Sequence, residues 1–329
     1  MMKAIAVEPH EDSPRLVWQT HPKPAPGPGE VLIRVKATAC NRADLLQARG
    51  RYPVPEGASA ILGLEAAGEV VELAADVQGV SPGDRVCALL SGGGYAEYVT
   101  CPASLLLPVP DTMSMEEAAA MPEVFYTAFL NLYLEGELRP GERVLVHAAA
   151  SGVGTAALQL CRLTQNPVIG TASAEKLDHL QTLGAERAID RHNEDFESIV
   201  REWTGGQGVD VILDPVGGTY LEANMKSLAT GGRLVVIGLL GGAKAPLALN
   251  RLLMKRLQIK GSVLRSRSLA EKEEITRAFK ERIWPHVTTG ELHPVIDEVL
   301  PIEDAEQAHG RLAANATLGK IVLRVRDRA

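Results

Sequence analysis

Residues 143–158 read RVLVHAAASGVGTAAL. An apolar, strand-like run enters a loop of small residues and leaves it into a helix pattern. This layout suits the pyrophosphate of a dinucleotide. Glycines there allow the tight turn, the approach of backbone to phosphate and close helix–strand packing, and the helix N-terminus offers free N–H groups at its positive dipole end. Of the G-x-G-x-x-G pattern only Gly154 stands in its place, and Ala149 and Ser151 occupy the other two. Ser151 adds a hydroxyl where ligand oxygens would lie, while Gly152 and Gly154 leave the helix N-terminus open. The setting, after a buried strand in a first βα unit, predicts a dinucleotide site. The competing reading is a tight turn in a sheet that has no ligand.

The end of the next strand decides between dinucleotides. A site for NAD places Asp or Glu there to hold the ribose hydroxyls. This chain reads VIGTASAEKL, with Ala172 at the acidic position, Ser173 and Lys176 following, and Arg191 ending the third strand. Loss of the carboxylate and gain of hydroxyl and cationic groups suit a 2′-phosphate, so the expected cofactor is NADPH. Glu175 is a rival acid, expected to face solvent on a first helical turn. Lys176 and Arg191 also read as ordinary surface charges.

Positioning these residues takes a large fold. The 329 residues are 46% apolar and 23% charged, and the net charge is −7. Such a chain buries a sizeable core in two domains and offers no basic field for nucleic acid or an anionic membrane. The run Leu234 to Ala243 is too short to cross a bilayer, and MMKAIAVEPHED turns acidic without a signal-type apolar core, so a cytoplasmic enzyme is expected. Cys40, Cys87, Cys101 and Cys161 are too dispersed for a CxxC metal knuckle or a disulfide framework.

Strand-like runs at 2–8, 30–39, 66–73, 84–90 and 94–107, separated by Pro/Gly-rich turns, suggest a barrel-like β domain. From Met113 a helix pattern leads into strand–helix units whose strands are RVLVHAA, PVIGTA, RAID, VDVILDPV, RLVVIGLL and QIKGSVL. Continuous apolar strands covered by helices make a doubly wound parallel sheet. After an amphipathic helix at 270–284, PVIDEVLP and GKIVLRV return to β character and are expected to rejoin the first domain.

Several stretches together carry a resemblance: CNRADLLQARGRYPVP, ILGLEAAGEV, AMPEVFYTAF, HAAASGVGTAALQL, LDPVGG, SVLRSRS and LGKIVL. Over essentially its whole length the chain resembles the zinc-free quinone oxidoreductases of the medium-chain dehydrogenase/reductase superfamily, in particular the human tumour-suppressor-inducible type. The resemblance implies a Rossmann dinucleotide-binding domain (123–291) inserted into a discontinuous GroES-like β-barrel domain (1–122 and 292–329). It also implies NADPH, a cleft between the domains and a homodimer built across the Rossmann sheets. By position it puts Thr127 near the nicotinamide, Ser151 to Gly154 on the pyrophosphate, and Ser173 and Lys176 at the 2′-phosphate. Gly238, Leu239 and Leu264 would line the nicotinamide side, and Asn315 would reach the cofactor. Family members often carry Tyr where this chain has Arg191, so a charge contact would replace stacking on adenine.

Zinc-dependent relatives use a Cys, the His of a G-H-E triplet and a second Cys. This chain has Asn41 in CNRAD and Leu64 in GLE at those points, and no downstream Cys near 121–131, so no metal is expected. Without a Lewis acid the acceptor must be electrophilic by itself, as quinones and conjugated enones are. Asn41 and Tyr52 are the polar groups that the resemblance puts in the cleft, to orient and polarise a carbonyl. Asn41 also reads as a helix cap, Tyr52 as a ring packed on Pro53, Asp44 as a helix-surface or capping group, and Arg265 and Arg267 as surface pairs or cleft residues. The leading expectation is NADPH-dependent quinone reduction. The alternatives are an enoyl or alkenal reductase and, in a different class, a non-catalytic NADPH-binding protein.

Overall fold

The continuous apolar runs of the middle third do form a parallel sheet. Its order is Arg187–Asp190, Val168–Ala172, Val144–Val146, Val209–Asp214, Leu228–Val236 and Gln258–Gly261, with every neighbouring pair parallel. The order of strand addition reverses between the parallel central strands Val144–Val146 and Val209–Asp214, the switch point at which doubly wound sheets open a crevice beyond their carboxyl ends. Leu145, Ile169, Ile212 and Leu234 are fully buried in the core beneath the covering helices. The computed structural model describes residues 1–10 and 14–326; the acidic pair Glu11 and Asp12 lies outside them.

The chain divides into two units, residues 1–126 with 264–329, and residues 127–263. The first is built on a sheet ordered Ile296–Pro301, Lys320–Arg324, Glu30–Ala39, Glu65–Leu73, Arg85–Leu89 and Leu106–Pro108, with Tyr98–Pro102 also pairing Glu30–Ala39. All pairs are antiparallel except Ile296–Pro301 with Lys320–Arg324. Glu30–Ala39 serves three neighbours because Lys320–Arg324 pairs with its residues 37–39 and Tyr98–Pro102 with its residues 30–34, while Glu65–Leu73 runs along it with two register shifts. Gly68 permits that bend, since a Cβ there would fall 2.0 Å from the Arg34 carbonyl oxygen. The C-terminal strands thus rejoin the first unit, as their sequence pattern implied.

Four details differ from expectation. Arg15–His21 is a strand paired antiparallel with Met2–Glu8, although its mixed burial hides any clear alternation. The run 94–107 splits into Tyr98–Pro102 and Leu106–Pro108 around a 3₁₀ turn at Ala103–Leu105. The helix pattern from Met113 breaks into Met115–Ala119, Pro122–Phe129 and a π-helical turn Leu130–Glu135. Finally, residues 264–291, expected in the dinucleotide-type domain, belong to the first unit. The reason is packing by the helix Leu269–Arg282: Phe279 stacks on Tyr126 at 4.5 Å, Lys272 donates to Ser91 and Ser104 donates to Glu273.

Candidate functional site

In the second unit Ser151 caps the helix Gly152–Leu163, its hydroxyl accepting from the Gly154 N–H at 3.1 Å. The helix has no acid in its first turn and Arg162 in its last, so nothing offsets the positive N-terminal dipole end. Gly154 cannot be replaced without movement, because a Cβ would lie 2.5 Å from Ala149 Cα. Ala149 has ordinary dihedrals and sits where Gly170 of the neighbouring strand makes room, a Cβ on Gly170 being 2.6 Å from Ala149 Cβ. The left-handed residue of this loop is Ala148, at φ +48°. The turn therefore keeps its shape with one glycine, and places strain at a position outside the fingerprint. These groups suit a pyrophosphate.

Ser173 follows the strand Val168–Ala172, and Arg191 follows Arg187–Asp190; Ala172 and Asp190 are paired, so the two strand ends are adjacent. Lys176 ends the short turn Ala174–Lys176. The rival acid is present too: the Ser173 hydroxyl donates to Glu175 Oε1 at 2.7 Å. That bond, with Lys176 and Arg191 nearby, holds the Glu175 carboxyl below the usual carboxylate range. Glu175 thus faces solvent, as expected, but it also engages the hydroxyl assigned to the phosphate.

Beneath these strand ends lies a buried polar chain that the sequence did not announce. His147 Nε2 bonds to Asn224 Oδ1 at 2.7 Å and its Nδ1 to Thr171 Oγ1 at 3.1 Å. Asn224 donates to Asp214, which also accepts from the Val216 and Gly217 N–H groups. Burial lowers the His147 ring to about 4, so it is neutral, with Nε2 donating and Nδ1 accepting from Thr171. The chain ties together the ends of the three central strands. Gly238 packs against Pro215, whose carbonyl oxygen would lie 2.8 Å from an added Cβ, and Leu239 is exposed. The Thr127 carbonyl accepts from Asn131.

In the first unit the predicted residues are not equally available. Asn41 is buried, and its amide is fully engaged: Nδ2 donates to Glu65 Oε1 at 2.9 Å and to the Ala39 carbonyl at 3.3 Å, and Oδ1 accepts from Lys320 Nζ at 2.6 Å. With both N–H groups engaged, Asn41 has no donor left for a substrate carbonyl, so the expected polarising role does not fit it. Lys320 Nζ also donates to Glu65 Oε1 at 2.7 Å and the Cys40 carbonyl at 2.8 Å, and Glu65 Oε2 accepts from the Glu123 N–H at 2.8 Å. Asp44 is a buried capping group rather than a surface one, accepting from the N–H groups of Asn41 and Gly63. Its carboxyl is pushed up to about 6 by burial.

Tyr52 is half-buried, with the Arg265 guanidinium 5.2 Å from its ring centre. Burial, then Glu123, raises its phenol above the ordinary value. Glu123 is half-buried, and desolvation together with Glu65 pushes its carboxyl up to about 8. Glu65, Glu123 and Lys320 were not singled out from sequence. The only signal was a charged residue inside an apolar stretch (GLEAAG, AMPEVF, LGKIVL), where burial requires a partner. Leu264 is buried. Asn315 is the left-handed residue after the helix Ala305–Ala313, at φ +56°, and its Oδ1 accepts from Arg42 at 2.6 Å, a capping geometry.

Leu64 is buried in the core, and all four cysteines are buried free thiols. Among the described residues no group of three or more His, Cys, Asp or Glu side chains is arranged to hold a metal ion. No described helix is long and apolar enough to cross a membrane.

Residues 27–111 match the alcohol dehydrogenase GroES-like domain, and residues 152–281 match the zinc-binding dehydrogenase domain. The rat synaptic vesicle membrane protein VAT-1 homolog is 35% identical over 316 residues, covering 91% of this chain and 78% of that protein. The crystal structure of an NAD-dependent alcohol dehydrogenase matches with TM-score 0.87 and 34% identity over 99% of this chain and 100% of that one. The quinone oxidoreductase of Pseudomonas syringae pv. tomato matches with TM-score 0.86 and 31% identity over 98% of this chain and 100% of that one. A GroES-like β unit interrupted by a Rossmann-type sheet with its phosphate turn, and relatives of this identity over nearly the whole chain, lead to one conclusion: the protein belongs to the medium-chain dehydrogenase/reductase superfamily of nicotinamide-dependent oxidoreductases.

Proposed function

We propose that the protein is an NADPH-dependent reductase of quinones or similarly electrophilic conjugated carbonyl compounds, working without a metal. The observation that carries the reading is the Lys320 ammonium, set among Cys40 O, Asn41 Oδ1 and Glu65 Oε1 at 2.6–2.8 Å. By the resemblance, Asn41 in this corner and the adjacent Leu64 stand where metal-dependent relatives carry zinc ligands. Here a fixed cation already compensates Glu65, Leu64 offers no ligand, and burial pushes the Cys40 thiol up to about 12. That donor set does not fit zinc, whose ligands are thiolate, imidazole and carboxylate. Acceptors that delocalise incoming charge then fit best.

When bound, the nicotinamide supplies the hydride. The Ser151-capped helix end would hold the pyrophosphate, through the Gly152 and Val153 N–H groups. Ala172, Ser173, Lys176 and Arg191 favour a 2′-phosphate at the neighbouring strand ends. Tyr52 would orient the acceptor carbonyl, with Thr127, Gly238, Leu239 and Leu264 toward the nicotinamide. Glu123, protonated at neutral pH, is a proton source beside Tyr52, so hydride and one proton complete the two-electron reduction of a quinone to a hydroquinone. Asn41 is a positioning residue in this reading.

Glu175 supports a second reading, NADH in place of NADPH, because an acid bonded to Ser173 resembles the ribose-gripping arrangement. A second copy of the chain is the expected partner: the edge strand Gln258–Gly261 is largely exposed, and so are Leu249, Leu253 and Met254 of the helix Leu249–Lys255. The test is steady-state oxidation of NADPH and NADH against quinones, enals and enoyl thioesters, with metal content measured on the same preparation. Turnover with quinones or enones and no bound zinc is expected. Turnover that tracks one zinc per chain, or oxidation only of simple alcohols, would overturn the proposal.

A further inference from the structure

A cleft of about 760 Å³ lies within the first unit, lined among others by Ser59, Ser91, Gly93, Tyr98, Arg265 and Lys272. Arg265 is only 5% exposed. Its Nε donates to the Ser91 carbonyl at 2.9 Å, but Nη1 and Nη2 are buried and have no acceptor among the described residues. The neighbouring Lys272 is also buried; its ammonium donates to Ser91 Oγ and the Arg265 carbonyl, each at 2.8 Å, which leaves a third hydrogen. The acids lining the cleft do not compensate this charge. Glu30 accepts from the Gly27 N–H at 2.9 Å, and Glu56 is exposed. Asp44 and Glu123 reach Arg265 only as longer-range charges.

A guanidinium held out of water with two vacant N–H edges is unfavourable unless something negative completes it. The fork of Nη1 and Nη2 matches two oxygens of one oxyanion, and Lys272 adds a second positive charge. We propose that Arg265, supported by Lys272, makes this cleft a receptor for an acidic group, a carboxylate or a phosphate, carried by the substrate. The acceptors taken would then be conjugated carbonyl compounds with an anionic end, not only neutral quinones. The inference rests on the proposed reductase reading for what the acid is attached to, and on Arg265 alone for the acid itself.

Isothermal titration of the full chain with trans-4-oxo-2-pentenoate, its methyl ester and the corresponding phosphonate tests it. The carboxylate or the phosphonate should bind at least tenfold tighter than the ester, and the tighter of the two names the source of the acid. Arg265→Met should erase the difference while leaving ester affinity unchanged. Its melting temperature should not fall below wild type, because an uncompensated buried charge has been removed. Equal affinities for acid and ester in the wild type would overturn the proposal. So would an Arg265→Met variant that keeps the preference or melts clearly lower. An acid that binds through Arg265 while no acceptor is reduced would sink the reductase reading and leave the receptor standing.

Discussion

Replacing Lys320 with Met tests the buried charge corner directly. Lys320 and Glu65 side chains are 3% and 0% exposed, so neither can turn to water. The substitution preserves the apolar stem and removes the ammonium. Glu65 then keeps only Asn41 Nδ2 and the Glu123 N–H, and the Cys40 carbonyl and Asn41 Oδ1 each lose a donor. Breaking one side of a buried pair costs about 3–5 kcal/mol. For a unit of this size each kcal/mol moves the melting temperature by about 2–4 °C, giving a fall of roughly 6–20 °C. Thermal melting by circular dichroism and guanidinium unfolding measure it. The double variant Glu65→Gln/Lys320→Met should recover about 2 kcal/mol or more of the loss, since no bare carboxylate is left behind. A loss below about 1 kcal/mol for Lys320→Met, or no recovery in the double variant, would refute the reasoning. The metal-free reading would then lose its main support.

For the cofactor, fluorescence titration should show NADPH binding at least tenfold tighter than NADH, about 1.4 kcal/mol, and Glu175→Ala should widen the gap by freeing Ser173; equal affinities, or tighter NADH, would favour the second reading. Tyr52→Phe should lower turnover by about 10-fold with NADPH affinity unchanged, and lower it further with a weakly electrophilic enone; unchanged turnover with both acceptors would remove Tyr52 from the chemistry. Ala148→Gly should raise stability by about 0.5–1 kcal/mol in urea unfolding, because its φ of +48° suits glycine, and a loss would show that the loop is not strained there. Glu123 has a raised carboxyl, at about 8, so its contribution to stability is complete below the unfolded value near 4.5 and is lost as pH climbs through 8. Compared at pH 5 and pH 8.5, Glu123→Gln should lose less stability than wild type, and parallel losses would contradict the shift.

Several parts of this architecture were legible because their cause is local. Parallel strands covered on both faces must be apolar throughout, so RVLVHAA, VDVILDPV and RLVVIGLL identify themselves without reference to neighbours. The phosphate turn was legible despite its lost glycines, since Gly154 is required where the helix meets the strand and Ser151 is a competent cap. Arg15–His21 was not, because Leu16 is its one buried residue and the strand shows no alternation to read. The helix Leu269–Arg282 was recognised as a helix, yet its assignment to a unit depended on where Tyr126 and Ser91 stand in space.

Sequence by itself determined the order of elements, the presence of a dinucleotide-type turn and the lack of zinc-ligand residue types at Asn41 and Leu64, because these follow from residue identity and short-range periodicity. Tertiary structure alone decided what the polar residues do. Asn41 lost its expected donor role because Lys320, 279 positions away, and Glu65, 24 positions away, saturate its amide. Ser173 lost its free hydroxyl to Glu175, two residues on, through a rotamer that no propensity specifies. Arg265 became a buried unpaired cation only because the fold packs it against the Ser91 carbonyl. The reason is physical. Apolar periodicity is repeated over many residues and survives any one exception, whereas a hydrogen bond or charge pair depends on two groups meeting within about 3 Å, which the chain can arrange only after it has folded.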